Sequence, residues 1–371
     1  MQRRAIEFWK EAGRLVSVGL MSVILLGVAL TSGAKVQPAG RPLLFGLSFS
    51  CDSRWVVTCG DKLRLFDVRS GEQLKRLEAK PDQRSRSVAF SPTDAELLAV
   101  GFESGVIQLR RIGVDRPVRQ LQGHNSTVQH LTFSPDGLSL VSVSTDYMAV
   151  PAHGRLNYWN VADGAMLHGL HCKGETLGAS FSGDGKRLAF CSGNRIEVMD
   201  VESWDSFGSA ELPHGRQTGD PFGIVVRFAS NDERIYVAGG TSEPAGEGFR
   251  AMGLLWKVTL DDPSSVDLIS GPFAEQFRRS IAVTPDGTRV VTGYCQRSDG
   301  HAIQHITMFE VAEDKSLWTT LLEAAPGGII EPFGMQISPD GKLIGWCNAG
   351  QIELNDVQTG RPVRTLKLLD P

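Results

Sequence analysis

Residues 131–144 read LTFSPDGLSLVSVS, and this stretch decides the fold. An alternating apolar run meets a Pro-Asp-Gly turn and then a second alternating run. Period-2 alternation on both sides of a tight turn is the signature of a β-hairpin. The pattern recurs at 88–100 (VAFSPTDAELLAV), 179–193 (ASFSGDGKRLAFCSG), 281–293 (IAVTPDGTRVVTG) and 335–347 (MQISPDGKLIGWC). Worn copies lie at 47–59 and 226–239. Aligned turns start at Ser50, Ser91, Ser134, Ser182, Ala229, Thr284 and Ser338, so the intervals are 41, 43, 48, 47, 55 and 54 residues.

A repeat of this length is one supersecondary unit that buries its faces only by stacking on its neighbours. Each hairpin is followed by a third strand: LRLFDV, IQLRRI, LNYWNV, IEVMDV, LLWKV, ITMFEV and IELNDV. A fourth, more polar strand closes each unit, as in EQLKRLEA (72–79) and RPVRTLKLL (361–369). Charge on the outermost strand blunts a free sheet edge. The expected fold is all-β: a seven-bladed β-propeller of four-stranded antiparallel blades over 42–371. The strands run in phase with the sequence, so no strand should be exchanged between first and last blades. Ring closure is then expected from side-chain packing alone.

Ahead of the repeats, residues 15–34 (LVSVGLMSVILLGVALTSGA) carry no charge, and Arg3, Arg4, Lys10 and Arg14 precede them. Two readings stand. One is an uncleaved membrane-spanning helix from Leu15 to Ala34. The other is a signal peptide with small residues at Ser32-Gly33-Ala34. Either puts the rest of the chain outside the cytosol, because the basic leader stays inside. The domains expected are thus a signal or anchor segment at 1–34, a linker at 35–41 and the propeller.

The 371 residues are 41% apolar and 22% charged, with 41 glycines, as a turn-rich globular domain requires. A net charge of −4 and the lack of any basic run argue against nucleic acid as a partner. The six cysteines form no CxxC pair, so zinc and dithiol chemistry have no support. Cys59, Cys191 and Cys347 fall at matching points of three units and read as small buried fillers. Cys295, His301 and His305 are metal-ligand residue types close in sequence. Two histidines four apart on a strand lie about 13 Å from one another, too far for one ion. No metal and no cofactor is expected.

These motifs resemble the WD40-repeat family, over nearly the whole chain after the linker. The third unit carries the most specific match: Gly123-His124, then VQHLTFSPDG (128–137), Asp146, and Trp159-Asn160 in place of the family's Trp-Asp pair. Phe66-Asp67, Met199-Asp200 and Asn355-Asp356 keep only the Asp, and Trp256-Lys257 only the Trp. The resemblance implies a structural relay from Asp146 through His124 and Ser142 or Ser144 to the Trp159 indole. His, Ser and Asp are also the inventory of a hydrolase triad. However, a serine that holds a buried indole N–H is not free to attack, and no GxSxG elbow presents one. The reading is therefore non-catalytic.

The resemblance also puts the loops between second and third strands, and those between blades, at one end of the ring. These are lengthened at 147–155, 241–250 and 295–305, and in the connectors 213–221, 271–279 and 323–332. Rigid scaffolds carry function on such loops. Phe222, Phe249, Phe273, Phe277 and Tyr294 supply apolar anchors there, and Arg250, Arg278, Arg279 and Arg297 supply forked donors. Aromatic and Arg side chains dominate protein interfaces. The expected function is a non-catalytic scaffold that binds protein or peptide partners through the loops of blades five to seven. The alternative is an enzyme on a propeller frame, of lactonase, quinone-dependent or hydrolase type, with its site at the mouth of the channel.

Overall fold

The structure is a computed structural model. It describes residues 44–368, except 78–83, 147–152, 174–175, 214–221, 230–231, 246–247, 261–265, 275–279, 299–300, 314, 324–332 and 349. The expected anchor or signal segment at 15–34 lies outside the described residues. Among the described residues, no helix is long and apolar enough to cross a membrane.

Twenty-eight strands, numbered β1 to β28 in chain order, form seven four-stranded sheets, and every sheet is built from four consecutive strands. All pairings are antiparallel. The innermost strands are β1 (Leu44–Phe49), β5 (Ser85–Phe90), β9 (Val128–Phe133), β13 (Ala179–Phe181), β17 (Phe222–Phe228), β21 (Ser280–Val283) and β25 (Phe333–Ile337). They contact one another in sequence, and β25 returns to β1, so the ring closes. This is the seven-bladed propeller expected, with no strand exchanged.

Period-2 alternation explains why the second strands are apolar on both faces. In β2 (Trp55–Gly60), Val57 and Cys59 pack towards blade two, whereas Val56 packs towards blade seven. In β14 (Arg187–Ser192), Leu188 and Phe190 join blade three, and Ala189 and Cys191 join blade five. Seven apolar clusters result, and each straddles one junction between neighbouring blades. The core is thus a set of interfaces. Cys59, Cys191 and Cys347 are buried in the same slot, each facing the next blade. Burial pushes the Cys59 and Cys191 thiols up to about 12, so both stay protonated.

The recurring turn is a small hydrogen-bonded knot. Ser134 donates to Asp136 (2.5 Å), whose carboxylate accepts the Leu138 N–H (2.9 Å), and Ser134 Oγ accepts the Ser139 N–H (2.9 Å). Gly137, Gly185, Gly287 and Gly341 take the left-handed φ the turn needs, between 70° and 73°. In the two worn copies Ser53 and Asp232 stand at this position, at φ 59° and 57°. Each uses its side chain to reach the turn of the preceding blade. Asp232 accepts the N–H groups of Gly183 and Asp184, the latter at 3.0 Å, and Ser53 accepts the Asp340 N–H at 3.1 Å.

The closing junction contains more than the side-chain packing expected of it. Gln336 accepts the Phe49 N–H (3.2 Å), Ser53 holds Asp340, and Arg364 donates to the Ser70 carbonyl (2.7 Å). Other junctions use the same devices. Ser48 accepts the Phe90 N–H and Ser180 the Phe228 N–H. Arg119 donates to the carbonyls of Ala162 and Asp163 on the next blade, as Arg364 does at the seam. The seam is therefore an ordinary junction of the ring. Hydrogen bonds enter because the inner edge of each blade leaves backbone groups that the ladder does not use.

Candidate functional site

The most specific part of the sequence folds into a sealed hydrogen-bonded cluster in blade three. Ser142 and Ser144 lie two apart on β10 (Ser139–Asp146), so they share a face. Asn157 and Trp159 do the same on the adjacent β11 (His153–Asn160), where Asn157 pairs with Ser142. His124 arrives from the connector before β9. Its Nε2 lies 2.6 Å from Ser142 Oγ and its Nδ1 lies 2.7 Å from Ser144 Oγ. The Trp159 indole donates to Ser142 Oγ at 2.8 Å. Gly123 allows this approach, because a Cβ there would lie 2.7 Å from the indole ring.

Two details differ from the relay implied by the family pattern. Ser144, rather than Asp146, meets Nδ1. Asp146 sits two residues farther along the same strand, opposite His153. The second detail is Asn157, which the sequence reading did not single out. Its Nδ2 donates to the Gly123 carbonyl (3.1 Å) and lies 3.4 Å from His124 Nε2. In either tautomer of the ring, one nitrogen of His124 donates and the other accepts, so the imidazole bridges Ser142 and Ser144. Apolar–polar alternation with Trp159 in LNYWN was the available signal for Asn157.

The electrostatics argue against use of this cluster as a triad. Burial first, and then the Arg155 charge, lower the His124 pKa to about 4. A base that titrates so low is poorly matched to take a proton at neutral pH. Ser142 is fully buried and engaged at both ends. The arrangement holds the indole, the connector and two strands of one blade together.

The second candidate is at the end of the ring reached by second-to-third-strand connections. Because strands alternate in direction, those connections share an end with the links between blades. There the insertions expected as loops run as paired strands. In blade five, β18 (Arg234–Ala245) and β19 (Gly248–Thr259) stay paired from Arg234↔Thr259 to Ala245↔Gly248. The inner strand β17 stops pairing at Gly240, so five rungs, Thr241 to Ala245, overhang it. In blade six, β22 (Arg289–Ser298) and β23 (His301–Glu310) pair as far as Ser298↔His301, whereas β21 stops at Gly293. That also leaves five rungs, Tyr294 to Ser298. Five rungs at about 3.4 Å each give ribbons of about 17 Å. In blade one, by contrast, β1 and β2 end together at Leu44↔Gly60. Backbone pairing explains the difference from the expected loops, since a ribbon satisfies the N–H and C=O groups that an open loop leaves to water.

The expected partner-binding residues distribute over these ribbons. Phe249 and Arg250 are opposite Pro244 and Glu243, and Tyr294 and Arg297 are opposite His305 and Ala302. Phe222 begins β17 and pairs with Gly240. Phe273, on β20 (Val266–Ala274), pairs with Gly253. Phe277, Arg278 and Arg279 lie outside the described residues.

Comparison with known proteins matches the family model "WD domain, G-beta repeat" to residues 115–149, the segment that holds His124, Ser142, Ser144 and Asp146. The chain is a seven-bladed β-propeller that carries a WD40 repeat at residues 115–149. The WD40 match falls on one blade because the other repeats keep the strand pattern without the signature residues. Topless-related protein 2 of Arabidopsis thaliana is 28% identical over 120 residues, 32% of this chain and 10% of that protein. The U3 small nucleolar RNA-associated protein 15 homolog of Xenopus tropicalis is 29% identical over 116 residues, 30% of this chain and 20% of that protein. The chain thus matches only a tenth to a fifth of these relatives' length. Among solved structures, Kuenenia stuttgartiensis hydrazine synthase superposes with a TM-score of 0.68 at 14% identity, covering 88% of this chain and 98% of that one. That likeness shows the fold alone.

Proposed function

We propose that this WD40 propeller is a non-catalytic interaction scaffold that takes a protein or peptide partner on the end of the ring where blades five and six overhang. The observation that carries this is the pair of five-rung ribbons on neighbouring blades. A ribbon that leaves its inner strand behind exposes backbone donors and acceptors along one edge. An extended peptide adds to such an edge through main-chain hydrogen bonds, with side chains of alternate residues supplying specificity. Phe249, Arg250, Tyr294 and Arg297 stand on the overhangs, with Phe222 and Phe273 on strands beside them, and Phe277, Arg278 and Arg279 follow in sequence. WD40 proteins in general bind protein partners, and Ser142 and Ser144 of the relay are both engaged with His124.

The same reading takes residues 15–34 as the segment that carries the propeller out of the cytosol, either retained as an anchor or removed. Fractionation with N-terminal sequencing of the mature chain separates these outcomes, and a cytosolic full-length chain would refute export.

Cross-linking in the native source, followed by mass spectrometry, tests the surface. Neighbours should cross-link to the ribbons of blades five and six. Deletion of 241–250 or of 297–301 should lose the partner while the unfolding midpoint stays within a few degrees. Retention of the partner by both deletions would overturn the assignment.

A further inference from the structure

The axial passage of the ring holds a cation without a counter-charge among the described residues. Arg227 is on β17, at the rung occupied by Ser48 in blade one, Thr132 in blade three, Ser180 in blade four and Gln336 in blade seven. At this rung Ser48, Ser180 and Gln336 accept a backbone N–H from the next blade. One of those is the Phe228 N–H, which therefore points away from the β17–β18 ladder, towards the axis. Residues of one parity on a strand share a direction, so the Val226 carbonyl also faces the axis. The Arg227 guanidinium donates to that carbonyl through Nη1 at 2.8 Å. The guanidinium is thereby placed on the axial edge of blade five.

Val226 and Phe228 are buried against blade four, and Arg227 itself is half-buried. Its Nη1 bond to Val226 is its one polar contact among the described residues. Among the described residues, no carboxylate pairs with it. His130 on β9 flanks the same passage two blades away, with Nε2 donating to the Ala179 carbonyl on β13 (2.9 Å). Burial, followed by the Arg227 charge, lowers the His130 pKa to about 3, so the imidazole is neutral and brings no second charge. Arg227 keeps its own charge at neutral pH, because burial lowers its pKa only to about 10.

A guanidinium bonded through Nη1 still presents its Nε–Nη2 edge, two parallel N–H groups. That fork matches the two oxygens of a carboxylate, and one positive charge balances one negative charge. We propose that Arg227 holds a carboxylate in the axial passage between blades three and five. The group is supplied either by a small free organic acid or by the acidic end of a partner peptide.

The test titrates the full chain with sodium formate against sodium chloride at equal ionic strength and follows thermal unfolding. Formate should raise the midpoint saturably, and chloride should not. Arg227→Gln should abolish the shift. If that variant does not fold, Arg227→Lys decides, since it keeps the charge and loses the fork: formate affinity should fall about tenfold or more. A peptide with a free C-terminus, compared with its amidated twin, separates the sources. A larger effect from the free-acid peptide assigns the partner's terminus, and an effect from formate alone assigns a free acid. No saturable shift with any carboxylate, an equal shift with chloride, or unchanged affinity in Arg227→Lys would each overturn the proposal.

Discussion

Acid should destabilise this propeller through His124, and the size of the effect can be worked out. His124 is 7% exposed, and its pKa in the folded state is about 4. In the unfolded chain a histidine titrates near 6.5. Between these values the unfolded state binds a proton that the folded state refuses, so stability rises with pH. The contribution is complete above 6.5, declines as pH falls through the window and is lost by about 4. Each pH unit is worth about 1.4 kcal/mol, so going from pH 7 to pH 5 costs about 2 kcal/mol from this group. His130, lowered to about 3, adds a loss in the same direction.

Urea unfolding at pH 7 and pH 5, followed by tryptophan fluorescence, measures the total. His124→Gln isolates the part assigned to the relay. At pH 7 the variant should lose about 2–4 kcal/mol, because Ser142 and Ser144 are left sealed with altered partners. Between pH 7 and pH 5 it should lose about 2 kcal/mol less than the wild type. An equal acid sensitivity in variant and wild type would refute the depressed pKa. A variant as stable as the wild type at pH 7 would refute the relay as a structural element.

Other positions give sharper single readings. Gly334→Ala should lower stability by more than about 2 kcal/mol in urea unfolding, because its φ is +61° and a Cβ there would overlap the Gly46 backbone across the seam. Asp232→Gly should cost about 1 kcal/mol, since relief of left-handed strain only partly offsets the loss of two backbone N–H groups from Gly183 and Asp184. Ser53→Gly, with a single bond to lose, should lie within about 0.5 kcal/mol of wild type in the same assay. Thiol titration with an aromatic disulfide at pH 8 should label half-buried Cys51 within minutes, whereas Cys59 and Cys191 should react only on unfolding.

Periodicity made the blades legible, because a strand buried on both faces must be apolar throughout, and six of the seven hairpins turn through a left-handed residue. Ser134, Asp136 and Gly137 announce that turn by chemistry. Contacts between blades are harder to read, since their partners are 43 residues apart at the Arg119 contact and 294 apart at the Arg364 contact and follow no local rule. Arg119 and Arg364 look like ordinary edge charges in sequence, yet each ties its blade to the next one. The relay shows the same limit at shorter range. Ser142, Ser144 and Asp146 share one face of β10, and spacing alone does not decide which of them meets Nδ1 of His124. Insertions are read as loops because they interrupt the repeat between its second and third strands, and pairing of their backbones has no compositional mark.

The two worn turns carry the argument one step further. A left-handed position without glycine costs about 1 kcal/mol, so Ser53 and Asp232 need a compensating contact. Both provide one by capping the turn of the blade before, at the seam between blades seven and one and at the junction of blades four and five. The first is where the ring must close. The second is where the ring meets the first of the two overhanging blades, which also carries Arg227 on its axial edge. Long ribbons and a half-buried cation both work against tight stacking, the former by leaving strands unsupported and the latter by its desolvation. Extra hydrogen bonds at that junction hold blade five in the ring. If that is their purpose, Asp232→Gly should weaken formate binding at Arg227 as well as stability, whereas Ser53→Gly should leave formate binding unchanged.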